Sequence, residues 1–437
     1  MKVRSGSISR NVSIATSVNL LAVILGSASS ILAARLLGPQ GRGELAAATQ
    51  WPTTIGSFGS IGMTVAIVYY CSYQREKSGE YYASAFFFLL ILILPCMIAG
   101  YFLLPYLLAA QNNLTIGLAR LYLFIVPIMF VEGLPHMALQ GLEEFDLWNI
   151  LRSLPPIIWI FIWLYIWIRG VKSVEQIIAI HLLVMYSLIF PFQIVALKKL
   201  KPPYRPSLKK CKELLIYGIP SLFTNIPMQM NYQLDQLMIA AFLPSKQLGL
   251  YAVAVALGIV FTPALQAIGQ IIFPRLALTD KSGVSEDLLK KAFHIGMIIG
   301  LGLLVLIMPI TPLLIIVIFG REFAGAIGSA VILVPASLIR SLNIMLEDLL
   351  RGLGKPKYPM YAEIAGLVAT ICLLLVLLPM IGIIGAALSS LVSYSITFSL
   401  NIAFIEKETH LGIRALLRPE KEDYKYIGSI VRRRSLR

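Results

Sequence analysis

This sequence has few charged residues and no long polar segment, and both shortages exclude a soluble catalytic domain. Only 14% of the 437 residues are charged, whereas 58% are hydrophobic and the mean hydropathy is +0.80. Soluble domains usually contain about 25% charged and about 45–50% apolar residues. The polar stretches between the apolar ones are long enough for only one or two turns of structure. We therefore expect a protein that is not an enzyme.

Sequence motifs of nucleotide-driven, metal-dependent or nucleophilic chemistry are also missing. No G-x-x-x-x-G-K-[ST] phosphate loop occurs, and the segment GLGK at 352–355 does not fit one. The sequence has no dinucleotide fingerprint and no G-x-S-x-G elbow, and its four histidines lack metal-ligand spacing. We expect neither a metal nor a cofactor, and no ATP-driven pumping by this chain alone.

The chain is also poor in cysteine. The four cysteines are Cys71, Cys96, Cys211 and Cys372. They show no paired spacing, so the sequence predicts neither a disulfide framework nor a zinc site.

Long apolar stretches, by contrast, fill almost the whole chain. A helix that crosses a bilayer needs about 20 mostly apolar residues, and backbone that faces lipid must be helical or part of a closed barrel. The predicted spans are 12–37, 45–72, 82–109, 115–140, 147–168, 174–197, 213–243, 248–275, 289–319, 325–350, 359–380 and 382–405. The sequence therefore predicts an all-α polytopic membrane protein with about 12 transmembrane helices.

The distribution of basic residues decides between twelve and eleven spans, because only Pro379 to Gly382 separate the last two. With twelve spans and a cytoplasmic N-terminus, 29 of the 37 lysine and arginine residues lie on the inner side and six on the outer side. Basic residues are retained on the cytoplasmic side. Eleven spans would place the tail, which ends in Arg432, Arg433, Arg434 and Arg437, outside. We therefore predict twelve spans with both termini in the cytoplasm.

The net charge of +15 follows from this topology. Basic segments at the inner surface also attract anionic membrane lipids. The charge therefore requires no nucleic-acid partner.

Residues at matching places in the chain indicate an internal repeat. A shift of 206 aligns Ala34 with Ala240 and Gly43 with Gly249, and a shift of 211 aligns residues 140–142 with 351–353. We predict an N-terminal six-helix lobe at 1–200, a basic cytoplasmic loop at 201–212, a C-terminal six-helix lobe at 213–405 and a basic cytoplasmic tail at 406–437. Lobes of six helices enter the membrane from the same side, and such repeats commonly enclose the substrate path at their interface.

Charged residues inside predicted spans are the candidates for function, because a charge near the bilayer centre costs about 2.5–3.5 kcal/mol on insertion scales. Three arginines are candidates for a phosphate or pyrophosphate, which suits the planar guanidinium. They are Arg35, Arg120 and Arg340.

Arg35 and Arg120 lie near predicted helix ends, so each could instead extend to the membrane surface. The candidates for ion coupling are Asp235, Glu132 and His136, and the last two are four residues apart on one helix face. A structural hydrogen-bonded pair is the alternative for Glu132 and His136. Near the predicted inner surface, Glu347 and Asp348 are expected to cap a helix or to form salt bridges.

Three segments resemble the polysaccharide flippases of the multidrug/oligosaccharidyl-lipid/polysaccharide exporter superfamily. The first is AARLLGPQGRGELA at 33–46, which is similar to the end of their first helix and its outer turn. The others are QGLEEF at 140–145 and PSKQLGLY at 244–251, which are similar to the turn after their fourth helix and the turn that opens their second half. With the 6+6 organisation, the resemblance covers essentially the whole chain.

The resemblance implies a flippase of the O-antigen or capsule type, which translocates a polyprenyl-pyrophosphate-linked oligosaccharide across the bacterial plasma (inner) membrane for O-antigen, capsule or exopolysaccharide assembly. It also implies a central cationic cavity, coupling to H⁺ or Na⁺, membrane lipids as surroundings, and glycan polymerase or export proteins as partners. Three alternatives stay open: a multidrug cation antiporter of the same superfamily, a polytopic glycan polymerase or ligase, and a scaffold without transport activity.

Overall fold

The regular structure of the protein is helical. The computed structural model describes residues 5–278, 284–409 and 411–418, and in these residues no β-strand occurs. Residues 419–437, which hold the arginine-rich end of the predicted tail, lie outside the described residues. The α-helices are α1 (Ser5–Gly59), α2 (Met63–Tyr73), α3 (Ser78–Leu107), α4 (Asn113–Tyr122), α5 (Ile125–Gly141), α6 (Phe145–Arg169), α7 (Val174–Leu197), α8 (Leu208–Phe242), α9 (Ser245–Gly258), α10 (Thr262–Leu278), α11 (Val284–Ile307), α12 (Thr311–Leu314), α13 (Ile327–Gly352), α14 (Lys357–Thr409) and α15 (Ile413–Leu417).

Two of these helices run across more than one predicted span: α1 contains the first span and the beginning of the second, and α14 contains the last two. The backbone of α1 leaves helical geometry at Gly38, with φ 64° and ψ −178°, and helix resumes at Pro39. The backbone of α14 breaks at Ile381 and at Gly382, where φ is 60°. Glycine adopts positive φ without steric cost, and proline suits the first turn of a new helix. The break in α14 separates the predicted spans 359–380 and 382–405, as the count of twelve requires.

The membrane character of the fold is confirmed, but several spans are interrupted. Nine helices of the described residues are long and apolar enough to cross a membrane. The second predicted span breaks at Ile61 and Gly62, which both have positive φ, and continues as α2. The fourth consists of α4 and α5, and the eighth of α9 and α10 joined by a 3₁₀ turn at Ile259–Phe261. Counted with α1 and α14 as two segments each, the helices reproduce the twelve predicted spans.

The described helices group into two compact units. Of the described residues, the first unit holds those up to 226 and residues 236–252, and the second holds 227–235 and those from 253 onward. The predicted lobes at 1–200 and 213–405 differ from these units in α8 and α9. Most of α8 and the start of α9 belong to the first unit because they pack closely against α1 and α2: Gly218 touches the backbone at Gly62, and Gly249 touches that at Pro39. The lobe boundaries stay a prediction.

In the first unit, α5 is the central helix and contacts α1, α2, α3, α6 and α7. Its side chains Phe130, Leu134 and Ala138 are fully buried. Lipid is as apolar as leucine, so close packing rather than the hydrophobic effect holds such helices together. The buried run of Ala46, Ala47 and Ala48 in α1 meets this requirement because small residues let backbones approach.

In the second unit, α13 is the central helix and contacts α10, α11 and α14. Its inward face carries the apolar residues Val334, Leu338, Leu342 and Met345, all buried. The same helix also carries buried polar residues, and these form part of the site described below.

The predicted loop at 201–212 is hydrogen-bonded to the first turns of α3. The Gly79 N–H donates to the Lys201 carbonyl at 3.0 Å, and the Ser207 N–H donates to Ser84 Oγ at 2.9 Å. A Cβ on Gly79 would lie 2.2 Å from the Lys201 carbonyl oxygen, so only glycine permits this contact. Lys210 is buried, and its ammonium donates to Tyr81 Oη at 2.8 Å. The connector is therefore an ordered part of the first unit.

The turns after α5 and α13 have the same hydrogen bonds, as the shift of 211 predicts. After α5, the N–H groups of residues 142, 143 and 144 donate to the carbonyls of 138, 140 and 139. After α13, the N–H groups of residues 353, 354 and 355 donate to those of 349, 351 and 350. Glu143 and Gly354 both have positive φ. This agreement in backbone geometry supports the internal repeat.

Candidate functional site

A buried polar network in the second unit is centred on Asn231 of α8. Its Nδ2 donates to Glu363 Oε2 at 2.8 Å, and its Oδ1 accepts from Thr370 Oγ1 at 2.8 Å and from Ser393 Oγ at 3.4 Å. Asn231 is 2% exposed and Glu363 is 3% exposed. The network joins α8 to both halves of α14. Buried polar groups of this kind must find partners, and in this network they find one another.

The two halves of α14 meet this network through Gly366. Its carbonyl accepts from Ser393 Oγ at 2.6 Å and from Thr370 Oγ1 at 2.9 Å. A Cβ at this position would lie 2.2 Å from Thr397 Oγ1 and 3.0 Å from Asn231 Nδ2. The polar residues 390, 393 and 397 share one face of the second half because they recur every three or four residues. The absence of a side chain at Gly366 therefore allows the network to close.

Two acidic residues lie close together at one end of the network. The carboxyl groups of Glu347, on α13, and Glu363, on α14, lie within hydrogen-bond reach of each other. Glu347 also pairs with Arg351 at 3.0 Å, and Asp348 pairs with the same guanidinium at 3.1 Å. The predicted salt bridges of Glu347 and Asp348 are thus confirmed. Glu347 is nevertheless fully buried, at 0% exposure, rather than at a surface.

Arg340 lies on the same face of α13 as Glu347, seven residues earlier. Its guanidinium carbon is 4.2 Å from the centre of the Tyr232 ring, a cation–π contact. Its Nε is shielded from solvent and has no hydrogen-bond partner among the described residues. The ring therefore orients the guanidinium and leaves this donor available.

Asp235 and Arg340, predicted as ion-coupling and substrate-binding candidates, lie in the same polar region. Asp235 is buried and accepts a hydrogen bond from Ser390 Oγ at 3.2 Å. Tyr394 interacts electrostatically with both charged residues, and its hydroxyl donates to the Asn231 carbonyl at 3.4 Å. This region of the second unit therefore combines Arg340 and the ion-paired Arg351 with three buried carboxyl groups, those of Asp235, Glu347 and Glu363.

The other candidates belong to the first unit. The Nε of Arg120 donates to the Tyr101 carbonyl at 3.3 Å, and its guanidinium lies 4.0 Å from the centre of the exposed Tyr101 ring. Arg35 is exposed on α1. Glu132 is buried on α5, where His136 packs its ring against Phe192. The Nε2 atom of His136 has no hydrogen-bond partner in the described residues. The proposed roles of these four residues stay predictions.

Two residues of the network, Asn231 and Glu363, escaped the sequence reasoning, and Glu347 was given only a structural role. Asn231 is uncharged, and Glu347 and Glu363 lie near predicted helix ends, so neither hydropathy nor charge counting selected them. A periodicity signal was available, because residues 340, 343, 347 and 351 form a polar stripe along α13. Outside this network, Arg42 falls between the predicted spans 12–37 and 45–72, yet α1 is already helical at that position.

Residues 8–279, more than half of the chain, match the family model described as "Polysaccharide biosynthesis protein". A relative from Haloferax volcanii, the probable low-salt glycan biosynthesis flippase Agl15, is 22% identical over 204 residues, which are 46% of this chain and 43% of that protein. The chain thus spans less than half the length of that relative.

Two solved structures show a similar fold. The lipid II flippase MurJ in an inward closed conformation has a TM-score of 0.76 at 15% identity, over 97% of this chain and 99% of that one. A multidrug resistance transporter of the MATE family, in the MOP superfamily, has a TM-score of 0.62 at 17% identity, over 91% of this chain and 96% of that one, in an inward-facing conformation.

Proposed function

Because this chain belongs to the polysaccharide biosynthesis protein family, we propose that it flips a polyprenyl-pyrophosphate-linked oligosaccharide across the plasma membrane. In this proposal the membrane is a bacterial inner membrane. The oligosaccharide is used to assemble a surface polysaccharide, namely O-antigen, capsule or exopolysaccharide. Both termini are cytoplasmic in this proposal, and the membrane's lipids together with polymerase or export proteins are its partners. The description of Agl15 as a glycan flippase supports the substrate class.

The proposal rests on the contacts of the Arg340 side chain. Its guanidinium carbon lies 4.2 Å from the centre of the Tyr232 ring, and its Nε–H has no acceptor in the described residues. A planar guanidinium with available donors suits the oxygens of a phosphate or pyrophosphate. The remaining arginine candidates, Arg35 and Arg120, would contact the same group at other stages of its passage.

Ion coupling is proposed at the buried carboxyl groups next to Arg340. Two carboxyl groups within hydrogen-bond reach, such as those of Glu347 and Glu363, can share one proton, and Asp235 with its hydroxyl neighbours can bind H⁺ or Na⁺. Occupancy by a cation would change the charge beside Arg340. That change supplies a physical link between an ion gradient and the binding of an anionic cargo.

The test replaces Arg340 by alanine and by lysine. We expect Arg340→Ala to abolish flipping of lipid-linked glycan in proteoliposomes and surface glycan in cells, with normal amounts of protein in the membrane. Arg340→Lys keeps the charge but loses the planar fork, so it should retain part of the activity. The matched control is Arg321→Ala, which removes an exposed arginine. Normal flipping by Arg340→Ala would remove Arg340 from the proposed site.

A multidrug cation antiporter is the second candidate, and the cluster of buried carboxyl groups favours it. Acidic groups suit a cationic drug, whereas Arg340 would repel one. This candidate predicts that overexpression raises resistance to cationic drugs and that Arg340→Ala leaves this resistance intact. Resistance without glycan flipping would replace the proposed function by this one. A polymerase or ligase would instead turn over lipid-linked glycan as a purified protein.

A further inference from the structure

Arg42 of α1 is a charged residue that the proposed function has not used. Its side chain is half-buried, and its Nε has no contact with solvent. In the part of the chain that the structure describes, Arg42 has neither a hydrogen-bond nor an ion-pair partner. The nearest acidic residue along the chain, Glu44, accepts from Gln40 Nε2 at 2.7 Å instead.

Other arginines of the first unit have protein partners. Arg75 donates to the Leu142 carbonyl at 2.7 Å, Arg120 donates to the Tyr101 carbonyl, and Arg152 lies 4.2 Å from the centre of the Trp148 ring. Removing a guanidinium from water without pairing it is costly, and buried charges are therefore normally paired. The shielded Nε–H of Arg42 has no acceptor in the described residues and is therefore available to a bound group.

The surroundings of Arg42 are those of an anion site. Two helices begin beside it: the second part of α1, which starts after Gly38, and α9, which starts at Ser245. They cross at their first turns, where Gly43 meets the Ser245 carbonyl and Gly249 meets the Pro39 carbonyl. The first N–H groups of a helix have no intrahelical acceptor, and its dipole makes this end positive. Two such ends and a guanidinium therefore concentrate positive charge.

Arg42 follows Pro39 by three residues, so the two positions are neighbours on one side of the helix, next to the crossing. The exposed Lys246, in the first turn of α9, adds a further positive charge on the facing helix. No carboxylate pairs with Arg42 in the described chain. Oxyanions such as phosphate bind readily at helix starts of this kind.

We propose that Arg42 and the two helix starts bind a phosphate group, namely the pyrophosphate of the cargo when it reaches the predicted outer end of the protein. This assignment rests on the proposed function. It adds a second binding site for the cargo besides Arg340. The Arg42 site lies at the predicted outer end of the path, whereas the basic loops lie at the predicted inner end. The pyrophosphate would contact Arg42 and the first N–H groups of the two helices before release.

The experiment measures binding of farnesyl pyrophosphate to the purified full chain in nanodiscs, for the native protein, Arg42→Gln, Arg42→Lys and Arg321→Gln. Loss of a charge-assisted contact weakens binding about tenfold to hundredfold, which is the expected effect of Arg42→Gln. Arg42→Lys should fall between native and Arg42→Gln. The exposed Arg321, also on the predicted outer side, is the matched control and should show native affinity.

Thermal unfolding without ligand separates binding from a structural role. Because Arg42 has no protein partner, its removal should leave the unfolding midpoint of the unliganded protein unchanged or raise it. The stabilisation by added farnesyl pyrophosphate should shrink in Arg42→Gln. A clear fall of the midpoint in unliganded Arg42→Gln would overturn the assignment, as would native affinity in that variant.

Competition identifies the source of the phosphate. Farnesyl monophosphate, inorganic phosphate and vesicles that contain phosphatidylglycerol are added to the same assay. We expect each of these competitors to displace farnesyl pyrophosphate less well than unlabelled farnesyl pyrophosphate does. Equal displacement by any of them would show that the site does not select a pyrophosphate, and the assignment of the cargo as its ligand would be wrong. Flipping of lipid-linked glycan in proteoliposomes tests the proposed function separately. Arg42-dependent binding without any flipping by the native protein would contradict that function and leave the anion site standing.

Discussion

Gly43 and Gly249, which are equivalent under the shift of 206 residues, touch each other. A Cβ on Gly43 would lie 2.9 Å from the Gly249 nitrogen, and a Cβ on Gly249 would lie 2.9 Å from the Gly43 nitrogen. The same Cβ atoms would lie 1.7 Å from the Ser245 carbonyl and 1.9 Å from the Pro39 carbonyl, and residues 39 and 245 are equivalent too. The contact is therefore reciprocal, as a local two-fold relationship between repeats requires.

The substitution Gly43→Ala should separate these two helix starts, because its Cβ would overlap a backbone carbonyl that cannot rotate away. Overpacking of this kind costs about 1–3 kcal/mol. We expect a lower midpoint of thermal unfolding in detergent and a reduced rate of glycan flipping, and the same for Gly249→Ala.

Gly26→Ala is the matched control for this contact. It lies on the same helix and its Cβ would have no atom within 4 Å. An unchanged midpoint and rate in Gly43→Ala would show that the two helices do not approach as closely as described.

The substitution Gly366→Ala should disrupt the buried network of the second unit. Its Cβ would lie 2.2 Å from Thr397 Oγ1, so the overpacking cost is again about 1–3 kcal/mol. Removing that hydroxyl should relieve part of the overlap. The double variant Gly366→Ala/Thr397→Ala should therefore unfold at a higher temperature than Gly366→Ala alone, which a double-mutant cycle detects.

Gly302→Ala, on α11 of the same unit, has no atom within 4 Å of its Cβ and should unfold like the native protein. Strictly additive effects of the two substitutions would contradict the contact between Gly366 and Thr397.

Replacement of Asn231 by leucine should remove the amide donor of Glu363 and leave Thr370 with only the Gly366 carbonyl as acceptor. Each buried polar group that loses its partner costs about 1–3 kcal/mol. We expect a lower unfolding midpoint and, under the proposed function, flipping that no longer responds to an imposed H⁺ or Na⁺ gradient. The response is measured in proteoliposomes with defined internal and external solutions.

Asn401 offers a control of the same residue type for this prediction. It is fully buried in the same unit, and neither polar side-chain atom has a hydrogen-bond partner in the described residues. Asn401→Leu should therefore keep or raise the midpoint and keep the ion response. An ion response retained by Asn231→Leu would exclude the network from coupling.

The ion pair between Lys355 and Glu408, at 2.7 Å, should tolerate exchange of its charges. Its counterpart after α5 has the opposite order, with Glu144 in the turn and Lys199, after α7, at 3.1 Å. We expect Lys355→Glu to lower the unfolding midpoint and the second substitution Glu408→Lys to restore it. High salt should reduce the difference, because both residues are partly exposed to solvent.

The pH dependence of this pair follows from Lys355. Its hydrogen bond to Glu408 raises the pKa of Lys355 above the ordinary value of 10.5. Stabilisation by the pair is therefore complete at neutral pH and up to pH 10.5, where Glu408 is ionised, and is lost as the pH rises through the raised pKa. The difference between the native protein and Lys355→Met should stay constant at neutral pH and disappear in strong alkali. A difference that grows with alkali would contradict the pairing.

The sequence predicted the number of membrane spans and their helical structure because span length and apolar content are local properties. The break between the last two spans was predicted from the closeness of Pro379 and Gly382 and from the charge of the tail, and α14 does break at Ile381 and Gly382. The internal repeat rested on few identities, but matching glycines proved to be contact points. Arg340 was selected because a charge so far inside a span is rare.

By itself, the sequence determined that this chain is a helical membrane protein of twelve spans, because the bilayer requires long apolar segments with satisfied backbones. Only the tertiary structure decided which polar residues meet. Glu347 and Glu363 are sixteen positions apart and sit near predicted helix ends, yet their carboxyl groups come together because α13 and α14 turn these faces toward each other. Rotation of a helix about its axis depends on packing with its neighbours, and neither hydropathy nor charge counts record it.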